Sequence, residues 1–218
     1  MVVTAHYDHI GKDHEDVYNG ADDDGSGTVA VMEMAEAFAK AKREGHGPRR
    51  SLLLMPVSGE EKGLLGSEWY SEHPVFPLES TVADLNIDMI GRTDSAHEKS
   101  APYVYIIGSD RLSSDLHRIN EAANATYTGL VLDNTFNDAN DPNRFYYRSD
   151  HYNFAKNGVP VIFYFSGVHE DYHQPGDEVQ KIRFDLLEQR ARLVFYTAWE
   201  LANREQRIVV DKPLPKEQ

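Results

Sequence analysis

The chain has 218 residues and a mass of 24.7 kDa, the size of one ordinary domain. Hydrophobic residues make up 40% of it, enough for a substantial core, while 36 acidic against 22 basic residues give a formal net charge of −14. That balance argues against a nucleic-acid partner, whose phosphates need cationic neutralisation, and no apolar run approaches the roughly 18 residues of a membrane span. The lack of cysteine excludes thiol nucleophiles, Cys-ligated zinc and disulfides, so any metal must be held by His, Asp and Glu.

In chain order, Val2 to His6 reads as a short strand that stops at Tyr7-Asp8-His9-Ile10-Gly11, and Lys12 to Gly20 as a polar loop. From Ser26 to about Glu44 the residues Val31, Met34, Ala35 and Phe38 recur at helical spacing. Gly45-His46-Gly47-Pro48 ends that helix. Ser51 to Val57 is a continuous apolar run, as expected of a strand buried on both faces. A turn carrying Glu60-Glu61 and a short helix around Leu65 to Ser71 follow. Val82 to Asp88 and Tyr103 to Ile107 are further strands, Leu112 to Ala125 is helical, and Val159 to Phe165 is another buried strand. The last helix, Leu186 to Arg204, sets Leu187, Ala191, Val194, Ala198 and Leu201 on one face, with Asp185 and Glu188 as a capping-box-like start.

Strands alternating with helices predict an α/β fold, a three-layer α/β/α sandwich around a mixed, mostly parallel sheet. Residues 1–210 are expected to form one domain, and 211–218 a frayed tail. A strand whose end carries chemistry normally lies inside a sheet, yet nothing precedes the first one here. The chain is therefore expected to lack N-terminal strands of a longer parent.

In doubly wound sheets, ligands gather at the carboxyl ends of the strands. That rule collects His6-Tyr7-Asp8, Glu60-Glu61, Asp88 and the loop Asp171-Tyr172-His173, together with the turn Asp22-Asp23-Asp24 that opens the first long helix. Two histidines and at least five carboxylates converge without a Lys or Arg among them. At a spacing of about 4 Å each like-charge pair costs several kcal/mol, so a cation must offset the repulsion, and His plus carboxylate ligands suit zinc. Singly, each element is commonplace: acids favour helix starts, and Ser149-Asp150 before His151 makes a good N-cap. His9, His14, His46, His97, His117 and His169 have no evident partner and are expected in solvent. Asn134 to Arg144 reads as a polar surface loop.

Taken together, the stretches AHYDHIG, NGADDDGSGT, SGEEKGLLGS, LNIDMIGR, YRSDHYNFAKNGVPVIF and DYHQPGDE, spanning Ala5 to Glu178, resemble the co-catalytic di-zinc exopeptidases of metallopeptidase family twenty-eight. The resemblance implies two Zn²⁺ per chain, with His6 and Asp88 on one, Glu61 and His173 on the other, and Asp23 bridging both. It implies that Asp8 hydrogen-bonds the His6 imidazole, that the Asp23–Asp24 peptide is cis, and that Glu60 is the general base for a water shared by the two metals. Tyr172 is a candidate donor to the oxyanion, and Ser149 and Asp150 are candidates for substrate binding. Exported relatives suggest a periplasmic or secreted parent.

The function expected is therefore an exopeptidase acting on peptides. An acidic site compensates a free substrate amine, which favours an aminopeptidase. Arg92, Arg144 and Arg148 could approach the pocket, so a carboxypeptidase or dipeptidase is the nearest alternative, and a non-catalytic domain of this fold is the alternative of a different class. The single-zinc glutaminyl cyclases share the fold, but His6 and Asp23 together argue against them.

Overall fold

A computed structural model describes residues 1–214. The strands are β1 (Val2–His6), β2 (Gly11–Asp13), β3 (Asp16–Tyr18), β4 (Leu53–Val57), β5 (Asp84–Ile87), β6 (Tyr103–Ile107), β7 (Val131–Asp133) and β8 (Val161–Phe165). The helices are α1 (Gly27–Arg43), α2 (Leu65–Glu72), α3 (Ser114–Ala123), α4 (His151–Ala155) and α5 (Phe184–Asn203). Six strands form one sheet in the order β4-β1-β5-β8-β6-β7. The first four are mutually parallel, β6 runs antiparallel to β8, and β7 is parallel to β6. The predicted mixed, mostly parallel sheet is thus present, with β1 inside it between β4 and β5.

Side chains alternate across the sheet, as the pleat requires. Val3, Ala5, Leu85, Ile87, Val104, Ile106, Ile162 and Tyr164 face a core shared with α1, α3 and α5. Tyr103, Tyr105, Ile107, Val161, Phe163 and Phe165 face a second core with Phe154 and Ala155 of α4 and Tyr70 of α2. Each face is therefore covered by helices, which gives the three layers and explains why the inner strands read as unbroken apolar runs.

Four expectations are corrected. The apolar run at Leu53–Val57 is an edge strand, only partly buried, with Pro56 exposed; proline lacks the N–H that an interior strand would need. The segment 12–20 is a two-stranded hairpin, β2 with β3, rather than a plain loop. No side chain caps α5: Asp185 pairs with Arg183 and Glu188 with Arg192. Part of the tail is anchored, since Asp211 accepts a bond from Ser114 N–H and Lys212 reaches Asp110; residues 215–218 of that expected tail lie outside the described residues. The loop 134–144 folds back on β6, with Asn137 accepting from Gly108 N–H and Phe136 packing into the second core.

Arg190 of α5 is fully buried. Its guanidinium donates to the carbonyls of Ile90 and Arg92 at 2.7 Å and of Tyr103 at 2.8 Å, so it binds the segment after β5 to β6. Among the described residues, no helix is long and apolar enough to cross a membrane.

Candidate active site

Because β1, β4, β5 and β8 are parallel, their carboxyl ends share one side of the sheet, and His6, Glu60-Glu61, Asp88 and His173 all follow those ends. The turn before α1 completes the cluster. Its three acids do different work. Asp24 is fully buried and accepts backbone N–H groups of His6, Gly27 and Met89. It thereby fastens the end of β1, the start of α1 and the end of β5 together. Gly27 is needed there, since a Cβ would sit 2.5 Å from that carboxylate. Asp22 accepts the N–H of Gly91 and faces His169 Nε2 at 3.2 Å. From the other side Asp177 accepts the N–H groups of both Asp22 and Asp23. Asp23 alone projects into the site, and the Asp23–Asp24 peptide is cis.

Asp23 presents one oxygen to each histidine. Oδ1 lies 3.2 Å from His6 Nε2 and Oδ2 lies 3.1 Å from His173 Nε2. Asp88 stands on the His6 side, 3.7 Å from Nε2, and Glu61 on the His173 side, 3.2 Å from Nε2. His6 Nε2 is buried without a well-formed hydrogen bond, although buried polar atoms are nearly always satisfied. Two nitrogen–carboxylate groups joined by one carboxylate, with an orphaned imidazole nitrogen aimed inward, fit a pair of divalent cations such as zinc.

The electrostatics of the bare cluster agree. Burial disfavours charge on His6, yet Asp88 and Asp23 drive its pKa far above the usual imidazole range. Hydrogen bonds to Asp23 and Glu61 raise His173 to about 10. Burial and the charge of Asp88 raise Glu60 to about 9, whereas at Glu61 burial is outweighed by His173 and His9 and the carboxyl falls to about 2. Protons here stand where cations would balance the acids.

Other expected residues fall into clear places. The His6 tautomer is set by Asp8, but through its backbone: Nδ1 lies 3.0 Å from the Asp8 carbonyl and 3.8 Å from its carboxylate, which accepts the N–H of Glu60 instead. Gly59, at φ 79°, makes the turn that lets Glu60 and Glu61 diverge. Ser149 and Asp150 are both fully buried. Ser149 donates to Asp88 Oδ2 at 2.6 Å and accepts from Asn86, while Asp150 accepts from Ser67 and caps no helix. Tyr172 stacks on the His173 ring with centroids 3.9 Å apart.

Beside Glu60, Asp88 and His173 is a small cavity with an apolar far wall of Met89, Phe145, Phe163 and Phe165. Tyr172 and Arg148 also line it. A larger open groove between α3 and α5, walled by Tyr127, Tyr196 and Trp199, lies apart from these groups.

Three histidines expected in solvent are buried or nearly so. His9 Nδ1 lies 2.7 Å from Glu61 Oε1, His169 faces Asp22, and His97 sits between Asp94 and Asp133. His117 is half-buried against Ser109; His14 and His46 are exposed. The spacing of His9, three residues after His6, was the available signal for its proximity, and Asp177 was visible within the DYHQPGDE stretch.

Comparison with known proteins places this geometry. The family model described as Peptidase family M28 matches residues 1–198. The chain belongs to that peptidase family. Within Peptidase family M28, it is 27% identical over 238 residues to a "Probable zinc metalloprotease" of Pyrenophora tritici-repentis, covering 92% of this chain and 48% of that protein. It is 30% identical over 210 residues to a "Probable leucine aminopeptidase" of Arthroderma otae, covering 93% and 54%. Its fold matches an aminopeptidase from Aneurinibacillus sp. strain AM-1 with a TM-score of 0.72 at 23% identity, covering 99% of this chain and 47% of that one. The chain spans about half the length of the relatives it matches.

Proposed function

We propose that this chain carries the active site of a zinc aminopeptidase that binds two zinc ions and removes N-terminal residues with apolar side chains. The observation that carries the reading is Asp23, whose two oxygens face two histidines on opposite sides. His6, Asp88 and Asp23 would hold one ion, and Asp23, Glu61 and His173 the other. Bound zinc supplies Lewis-acid polarisation of the scissile carbonyl and acidifies water. Glu60 accepts the water proton as the new C–O bond forms, then returns it to the nitrogen as the C–N bond breaks. Tyr172 keeps its phenolic proton, because burial and the charge of Asp23 raise its pKa, and so can donate to the oxyanion. The acidic wall offsets the substrate ammonium, and the wall of Met89, Phe163 and Phe165 receives its side chain.

The direction of attack is tested with a pentapeptide beginning in Leu. Acetylating its N-terminus abolishes cleavage, while amidating its C-terminus leaves the rate unchanged, as read by mass spectrometry. Release of residues from the C-terminal end of the acetylated peptide would make the enzyme a carboxypeptidase.

His9 offers a second test, because His9, Asp23 and Glu61 also bring ligand atoms within 4.8 Å of one another. Its Nδ1 approaches Glu61 Oε1 to 2.7 Å without a well-formed hydrogen bond between them, close enough to steady that carboxylate from behind. His173→Ala is then expected to lose one zinc per chain, and His9→Ala to keep two with affinity for one weakened about 10–100-fold. Competition titration against a chromogenic chelator reads both. Loss of a full equivalent in His9→Ala, with none lost in His173→Ala, would exchange the two roles.

A further inference from the structure

The charged groups lining the cavity are acids and His173, with one exception, Arg148. Arg148 is exposed and forms no ion pair among the described residues, although the chain carries a net charge of −14. The other arginines near this face are occupied or turned aside: Arg92 is paired with Asp171 at 3.0 Å, and Arg144 lies over the Tyr147 ring. The Arg148 guanidinium lies over the Phe145 ring, 4.7 Å from its centroid, and Nη2 is 3.3 Å from the Tyr172 hydroxyl. The ring orients the planar fork, Nη2 donates to the Tyr172 hydroxyl, and the remaining N–H groups form no ion pair at the cavity that Arg148 lines.

We propose that Arg148 binds the C-terminal carboxylate of a dipeptide substrate, so that the site prefers dipeptides with a free C-terminus. The inference rests on the aminopeptidase reading, with Tyr172 beside the scissile carbonyl. Nη2 is hydrogen-bonded to the Tyr172 hydroxyl, so the guanidinium stands next to the group placed beside the scissile carbonyl, and an extended residue advances the chain by only about 3.3–3.6 Å. The group one residue past the scissile bond therefore lies within reach of the guanidinium. In a dipeptide that point is a carboxylate, which takes the fork in two charge-assisted bonds. In a longer peptide it is a neutral carbonyl, which binds more weakly.

The experiment compares Leu-Ala with Leu-Ala amide on the zinc-loaded protein. The native protein is expected to favour the free acid by about 10–100-fold in kcat/KM. Arg148→Gln, a change at an exposed residue, slows both substrates to the extent that the Tyr172 hydroxyl loses its partner and slows the acid further, bringing the ratio near one; Arg148→Lys keeps part of the preference. Equal slowing of acid and amide would mean that Arg148 acts only through Tyr172 and would overturn the proposal. Calorimetric binding of the same dipeptide with a reduced, uncleavable bond, as acid and as amide, gives a readout free of turnover, and equal affinities would also overturn it. If N-acetyl-Leu-Ala is cleaved as fast as Leu-Ala, the aminopeptidase reading fails, while the acid-to-amide ratio still decides the role of Arg148.

Discussion

Glu60→Gln is expected to lower kcat by about 10²–10⁴-fold with zinc content unchanged. Gln keeps the size and shape of the side chain and removes the one group that can take a proton and give it back. Glu60 lines the cavity, 4.0 Å from His6 Nε2, and its carboxylate groups with His6 and Asp88 within 4.8 Å, so zinc content in this variant is what separates a base from a ligand. Substrate affinity should change far less than rate, since the lost interaction acts mainly in the transition state. Glu61→Gln is the contrast. Glu61 lies within 3.2 Å of His173 Nε2, and an amide in its place is a weak ligand, so one zinc equivalent should be lost together with turnover. Measuring kcat and zinc content side by side separates the neighbours. Loss of zinc in Glu60→Gln, or more than about a tenth of native turnover, would remove Glu60 from the role of base.

Chelation should lower the melting temperature, and by more at alkaline than at mildly acid pH. In the metal-free protein His173 is raised to about 10 from 6.5 and Glu60 to about 9 from 4.5. Each holds a proton in the folded state that the unfolded chain releases. Their stabilisation is complete below the unfolded pKa and is lost as pH rises through the folded one. Glu61, lowered from 4.5 to about 2, has the opposite sign, and its contribution disappears only as pH falls through that acid range. By these three groups the chelated protein is most stable near pH 4.5, the unfolded value of both glutamates, and weakens from there toward about pH 10. Zinc binding runs the other way, because its ligands must be deprotonated. At a free zinc concentration of about 1,000 Kd the metal contributes about 4 kcal/mol, or roughly 10 °C for a domain of this size. Melting curves at about pH 6, 7.5 and 9, with and without chelator, test this. Coincident curves at all three would remove the metal from the account.

Much of this site was legible because chain order and strand ends carry it. A buried parallel strand has an apolar interior and a polar terminus, so His6 and Asp88 mark their own positions, and Glu60-Glu61 do so after the apolar run of the edge strand. The helix spacing of Val31, Met34 and Phe38 was equally plain, and all three are buried. Other features have no local signature. Whether Leu53–Val57 is an inner or an edge strand depends on which strands flank it, and the apolar run alone does not say. Nothing near His169 in sequence announces Asp22 as its partner, and nothing in the helix sequence marks Arg190 as the residue that three carbonyls of other segments surround. Ser149 looked like a group for substrate or for a helix end. Only the depth of the β5 terminus shows that it steadies Asp88.

The strand order has a consequence for how the protein comes to exist. The residues that would hold metal follow β1, β4, β5 and β8 and the turn before α1, so they are scattered from His6 to His173. No hairpin or single helix contains a complete half of the set. Parallel neighbours such as β1 and β5 must also find each other across long stretches of chain, an intrinsically slow kind of encounter. A metal held by this proposed set would find few of its ligands together in a partly formed chain, unlike a finger whose ligands lie within one short loop. Its binding would then stabilise a sheet that has already closed rather than start one.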